Sequence, residues 1–247
     1  MQRKSLNTLE SRKAGRRRIG IVVAIETFPI AKRFGQPDGK IGCPGFSVYR
    51  YDYDRVFGRP GGDIYVVKSG PGQVAAAAAA QLLITVFDVE AVFNFGAAGG
   101  LTESAKVGDV FLVESIVHYT FDCSELGEQF PQGRHGEYDS IYLKPDRALL
   151  EMAKSVSGLE TAVCASGDMF VGRYDTRRKI SRSFGADIAE MECAAIFMTA
   201  ERCGVPALFI KGVSDGIHTA AENVEKHFNG ASDMCFDALC RIIEFWI

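Results

Sequence analysis

The stretch Ala91-Val92-Phe93-Asn94-Phe95-Gly96-Ala97-Ala98-Gly99-Gly100 decides the fold. Its first half is a short apolar run that suits a buried strand. Its second half has no side chain larger than a methyl group, so a ligand can approach the backbone there. Just upstream, Gln73 to Phe87 contains six consecutive alanines (75–80). That composition predicts a helix, because Ala has the best intrinsic propensity, and small side chains let such a helix lie close to a sheet. The same alternation continues outward. On the N-terminal side, Arg18 to Ala24 reads as a buried strand and Ile25 to Phe34 as a short helix with Pro29 in its first turn. Residues 46–53 and Ile64 to Ser69 read as strands around a turn at Gly58 to Gly62. On the C-terminal side, strands are expected at 110–119, 161–165 and 206–213. Helices are expected at 145–156, with Pro145 in the first turn, and at 174–184, 191–203 and 220–246, with loop-like sequence over 123–140.

Strands alternating with helices argue for a single α/β domain, three layers deep, with a central mixed β-sheet over residues 18–247. In such folds ligands sit outside the carboxyl ends of the strands. Four segments therefore matter: 24–28, 96–100, 166–171 and 214–216.

Composition narrows the class. The chain has 247 residues, 47% hydrophobic and 24% charged, which suits a globular protein with a sizeable core. No run of 18 apolar residues suggests a membrane span, and no apolar segment follows the N-terminal Arg and Lys, so the cytoplasm is the expected compartment. The net charge is −3, but residues 1–18 carry seven Lys/Arg against one Glu, which leaves 21 basic and 30 acidic side chains in the rest. A body with a net charge of −9 does not suit nucleic acid. Residues 1–17 read as a basic arm expected to be disordered. The seven cysteines form no C-x-x-C pair and there are four histidines, so neither a disulfide framework nor a zinc site is expected. No cofactor is implied.

The four strand tips hold the candidate chemistry. The glycine-rich tip does not match G-x-G-x-x-G, so a dinucleotide site is not supported; it is either a backbone cradle or a tight turn. Asp215 is either a helix cap or a general acid whose pKa is raised by an apolar pocket. Glu190-Met191-Glu192 is expected to open a helix. There, carboxylates two residues apart lie about 200° apart, so only one of them, taken as Glu192, faces a given pocket. Phe170 is either core or a ring that stacks on a flat ligand. Asp168 is expected to brace its loop.

Seven segments in order resemble the nucleoside phosphorylase superfamily, and most closely its 5′-methylthioadenosine/S-adenosylhomocysteine nucleosidase branch. They are Arg18 to Glu26, Ser69 to Ala77, Asn94 to Leu101, Val107 to Val110, Ser166 to Phe170, Ala186 to Glu192 and Val213 to Asp215. The resemblance implies a purine nucleoside N-ribosyl hydrolase. Asp215 corresponds to the acid that protonates N7 of the departing purine, and Glu192 to the carboxylate that holds the ribose hydroxyls, with Met191 near the sugar. Phe170 corresponds to the ring that stacks on the base, and Val171 to the backbone that reads its edge. Ile25, Ala98 and Gly99 would line the ribose, with Glu190 and Ser214 adjoining. Leu126 lies in a loop that caps the ligand of a neighbouring subunit, which implies a homodimer or a larger assembly.

The resemblance breaks on the nucleophile side. The family Glu that orients water is Phe28 here, the family Ser in the glycine-rich segment is Ala97, and an Arg before the acid is Lys211. Glu26 is the candidate substitute base. Two alternatives stay open: a phosphorylase whose only evident phosphate-binding cation is Lys211, and a nucleoside-binding protein without catalysis.

Overall fold

The computed structural model describes residues 16–218 and 224–247, and of residues 224–226 the backbone alone. Among the described residues there are ten strands and seven α-helices, which largely alternate; each expected strand and helix has a counterpart. The strands are β1 (Arg17–Val23), β2 (Gly39–Cys43), β3 (Phe46–Asp52), β4 (Gly62–Lys68), β5 (Ala91–Gly100), β6 (Val110–His118), β7 (Tyr142–Leu143), β8 (Glu160–Ser166), β9 (Ile188–Glu190) and β10 (Ala207–Asp215). The helices are α1 (Phe28–Phe34), α2 (Tyr53–Phe57), α3 (Gln73–Phe87), α4 (Arg147–Ser157), α5 (Tyr174–Phe184), α6 (Cys193–Arg202) and α7 (Val224–Trp246).

All ten strands belong to one mixed sheet. Parallel β4, β1, β5 and β10 form its centre, and β3 and β2 add an antiparallel edge. On the other side β10 pairs with β6, β6 with β8, β8 with β9, and β9 returns to β5. These pairings close a ring of five strands, in which β6, β8 and β9 run antiparallel to β5 and β10. Helices α3 and α6 cover one face with Ala76, Ala79, Ala80, Leu83, Ala194 and Ile196. Helices α1, α4 and α7 cover the other with Ile30, Phe34, Leu149, Leu239 and Ile243. Each buried Leu or Ile contributes about 1.5–3 kcal/mol, so the three-layer arrangement rests on both faces. Helix α3 buries Gln73, Ala76, Ala79, Ala80, Leu83 and Phe87 at helical spacing, as the alanine run predicts.

The structure corrects several expectations. The glycine-rich segment is not a turn: β5 runs to Gly100, pairing with β10 on one side and β9 on the other. None of Gly96, Gly99 or Gly100 has a positive φ. All three allow close approach: a Cβ on Gly100 would lie 2.6 Å from the Ala105 carbonyl oxygen, and the other two face carboxylates. A Cβ on Gly96 would lie 2.6 Å from Oε1 of Glu26, and one on Gly99 would lie 3.2 Å from Oδ2 of Asp215. Glu190 closes strand β9, and α6 begins only at Cys193. Pro145 precedes α4 instead of entering its first turn, and Asp146 caps that helix by accepting from the Leu149 N–H at 2.8 Å. Strand β2 and helix α2 carry no clear periodic signal and were not expected.

The basic arm lies mostly outside the described residues, as do residues 220–223 of the expected last helix. Arg17 already belongs to β1, and Arg16 donates to Asp54 at 3.0 Å and to the Gly62 carbonyl at 2.9 Å. Among the described residues no helix is long and apolar enough to cross a membrane.

Candidate active site

The strand tips surround a cavity of about 600 Å³. Ile25, Glu26, Ala97, Ala98, Gly99, Phe170, Val171, Glu190, Met191, Glu192, Ser214 and Asp215 all line it. Each of the four segments singled out in the sequence therefore contributes. Lys211 does not line it. Ala24 and Met169, from the same segments, complete the described wall with Pro71, Ala189, Phe228 and Asn229, and the last four lie outside the four segments. Phe228 and Asn229 come from α7, whose approach to the tips has no local sequence signal.

Asp215 ends β10 and is buried. Its surroundings are not the apolar pocket expected. Ser214 Oγ donates to Oδ1 at 2.7 Å, and the guanidinium of Arg177 donates to Oδ2. Arg177 was missed by sequence reasoning, although a signal exists. On α5 the buried positions are Arg177, Ile180 and Phe184, so an arginine occupies a place in the apolar stripe.

Glu190 and Glu192 both border the cavity, against the expectation that only one could. The helical geometry behind that expectation does not apply, since Glu190 is in a strand and Glu192 is the N-cap of α6. Glu192 Oε1 accepts from the Gly72 N–H at 2.8 Å. Burial, and then the negative charge of Glu190, push the Glu192 carboxyl up to about 7. Glu190 is held otherwise. Burial would raise it, but the Lys211 ammonium at 2.9 Å, with hydrogen bonds from Ser166 and the Glu192 N–H, keeps it below the usual carboxylate range.

A pH prediction follows for Glu192. A carboxyl raised from 4.5 to about 7 by folding binds more protons in the folded than in the unfolded state between those values. Stability should therefore fall as pH rises from 4.5 to 7. E192Q should remove that decline, measured as the difference in urea midpoints across this range. An unchanged slope in E192Q would exclude Glu192 as its source.

Lys211 is 1% exposed and paired with Glu190, so it is not the free cation that a phosphate site would need. Drawing it away would leave a buried charge unpaired, at about 3–5 kcal/mol. Cys164, Glu190 and Cys193 place metal-ligating atoms within 4.8 Å of one another, but a cation there would have to displace the Lys211 ammonium.

Phe28 and Glu26, just after the end of β1, are placed differently. Phe28 starts α1, is 57% exposed and is absent from the cavity wall. Glu26, two residues earlier, is buried in that wall. Its Oε2 accepts from the Ile25 N–H at 2.9 Å and its Oε1 from the Ala97 N–H at 3.4 Å. Neither bond uses a side-chain donor.

Phe170 is 55% exposed, so it is not a core residue. Its loop is tied down by Asp168, whose Oδ1 accepts from the Gln73 N–H at 2.6 Å. Gln73 in turn donates to Ser166 Oγ at 2.9 Å and accepts from the Ala195 N–H at 2.8 Å. One buried glutamine thus braces α3, β8 and α6 around the site.

Fold and site together define a class: α/β proteins with a strand-tip pocket lined by both an exposed aromatic ring and buried carboxylates, a chemistry suited to a flat polar ligand. The sequence match then identifies the family. The Phosphorylase superfamily matches residues 18–244, and the chain belongs to it. It is 33% identical over 163 residues to the 5′-methylthioadenosine/S-adenosylhomocysteine nucleosidase of Shewanella denitrificans, covering 63% of this chain and 69% of that protein. The fold is similar to that of the Helicobacter pylori enzyme of the same name, complexed with a substituted pyrrolidin-3-ol. The TM-score is 0.85 and identity 25%, covering 93% of this chain and 99% of the other. It is also similar to the native futalosine hydrolase of Helicobacter pylori, with a TM-score of 0.84 and 25% identity over 92% of this chain and 97% of that one.

Proposed function

We propose that this chain is a purine nucleoside N-ribosyl hydrolase of the methylthioadenosine/S-adenosylhomocysteine type. The observation that carries the reading is the carboxyl-rich wall of the cavity. Glu26, Glu190, Glu192 and Asp215 line it, and no Lys or Arg is among its described lining residues. Such a wall offers acceptors to a sugar that becomes cationic and to a water that must lose a proton, and it offers phosphate no cation. The phosphorylase alternative loses its support with Lys211 engaged beneath the floor.

The residues divide the work by position. Phe170 stacks on the purine at the cavity mouth, and the Val171 backbone reads its edge. Asp215, which takes a proton from solvent before each turnover, gives it to N7 as the C1′–N9 bond breaks and the bond's electron pair passes to the base. Glu192 accepts hydrogen bonds from the ribose hydroxyls, with Met191 against the ring. Glu26 holds water opposite the base, takes its proton as the oxygen bonds to C1′, and later returns it to solvent. The exposed apolar side chains of Val74, Leu126 and Met169 support a homodimer in which Leu126 of one copy covers the 5′ substituent bound by the other. The substrate is a product of nucleoside metabolism, which supports a cytoplasmic enzyme.

The test is release of free base from adenosine, inosine, methylthioadenosine, S-adenosylhomocysteine and futalosine, with and without phosphate. Release without phosphate, fastest for a 5′-thio-substituted adenosine, is expected. Strict phosphate dependence would overturn the hydrolase. So would the absence of release from every nucleoside, together with ligand-induced thermal stabilisation.

A further inference from the structure

Arg177 is 0% exposed, yet it belongs neither to the core chemistry of α5 nor to the cavity wall. A buried guanidinium is tolerated only where its donors are matched by acceptors. Here Nε donates to the Val171 carbonyl at 2.9 Å, one terminal nitrogen to the Gly216 carbonyl, and the other to Oδ2 of Asp215. The three acceptors come from the loop before α5, the turn after β10 and the tip of β10. A planar fork held at three points has one orientation. Two of its partners, Val171 and Asp215, face the cavity, and Arg177 sits behind both.

We propose that Arg177 is a positioning residue for proton donation by Asp215. It locks the carboxyl in register with the loop that holds the base. It also faces the negative charge that Asp215 acquires when its proton passes to N7, so the charge-assisted bond strengthens as the glycosidic bond breaks. A preorganised donor of this kind needs no reorganisation during the reaction, whereas a water in its place would have to turn. The inference rests on reading Asp215 as the proton donor.

The experiment is a double-mutant cycle on purine nucleoside hydrolysis with wild type, R177M, D215N and R177M/D215N. R177M should lower kcat by about 10²–10³-fold, the usual effect of losing one such donor, with KM changed by less than about fivefold. In the D215N background the same substitution should cost less than about threefold, because the group it serves is already gone. A purely structural role predicts the full loss in both backgrounds. That result, or R177M within threefold of wild type, overturns the proposal while leaving Asp215 as the acid. Near-normal turnover in D215N overturns both. Should R177M fail to fold by circular dichroism, R177K and R177K/D215N carry the same comparison, since lysine can reach only some of the three acceptors.

Discussion

Replacing Asp215 by asparagine is expected to lower kcat for a purine nucleoside by about 10²–10⁴-fold, the usual worth of a general acid. The substitution keeps the shape of the side chain and an oxygen for Ser214 or Arg177. What it removes is the proton that the departing base must take up. KM should change little, because the proposed reading assigns the purine to Phe170 and the Val171 backbone, and the sugar to Glu192. Affinity for free adenine, read by thermal shift, should be retained. A variant that keeps wild-type turnover would take Asp215 out of the mechanism.

The second large effect is expected on the opposite side of C1′. E26Q should slow hydrolysis by about 10²–10³-fold, since the amide accepts no proton from water. F28A should stay within about threefold of wild type, as expected for an exposed side chain outside the cavity wall. The pair discriminates between two accounts of the altered nucleophile site. If Glu26 has taken over the base, E26Q is slow and F28A is not. If water is merely held in place, both variants turn over at similar rates, and Glu26 loses its role. Geometry favours the first account: with only backbone N–H donors on its oxygens, Glu26 retains lone pairs for water.

Most of the site was legible because its members sit at strand ends. Periodicity marks where a strand stops, and the ends of β1, β5, β8 and β10 meet around one cavity, so the segments could be gathered from sequence, while the family resemblance picked out Ile25 and Ala98 within them. The reading of Glu190 to Glu192 went wrong because a short strand and a helix start share the same acidic, apolar pattern. Three residues of β9 are too few to show a period of two. The glycine-rich tip stayed ambiguous between cradle and turn for a related reason. Glycine at 96 and 99 fits either, whereas the requirement is space for Glu26 and Asp215, which are remote in sequence. Arg177 was overlooked because a charged residue on a helix is usually solvated, and only its spacing with Ile180 and Phe184 hinted otherwise.

Local information in the chain by itself determined the order of strands and helices, the three-layer class and the presence of acids at the strand tips, because propensity and hydrophobic period act over a few residues. Only the tertiary structure decided what each acid does. Glu192 accepts from a backbone amide 120 residues away, and Asp215 pairs with an arginine 38 residues earlier. Lys211 is withdrawn from any ligand by Glu190. Charge, hydration and reach depend on such distant neighbours, which the folding of one sheet brings together and no short stretch of sequence contains.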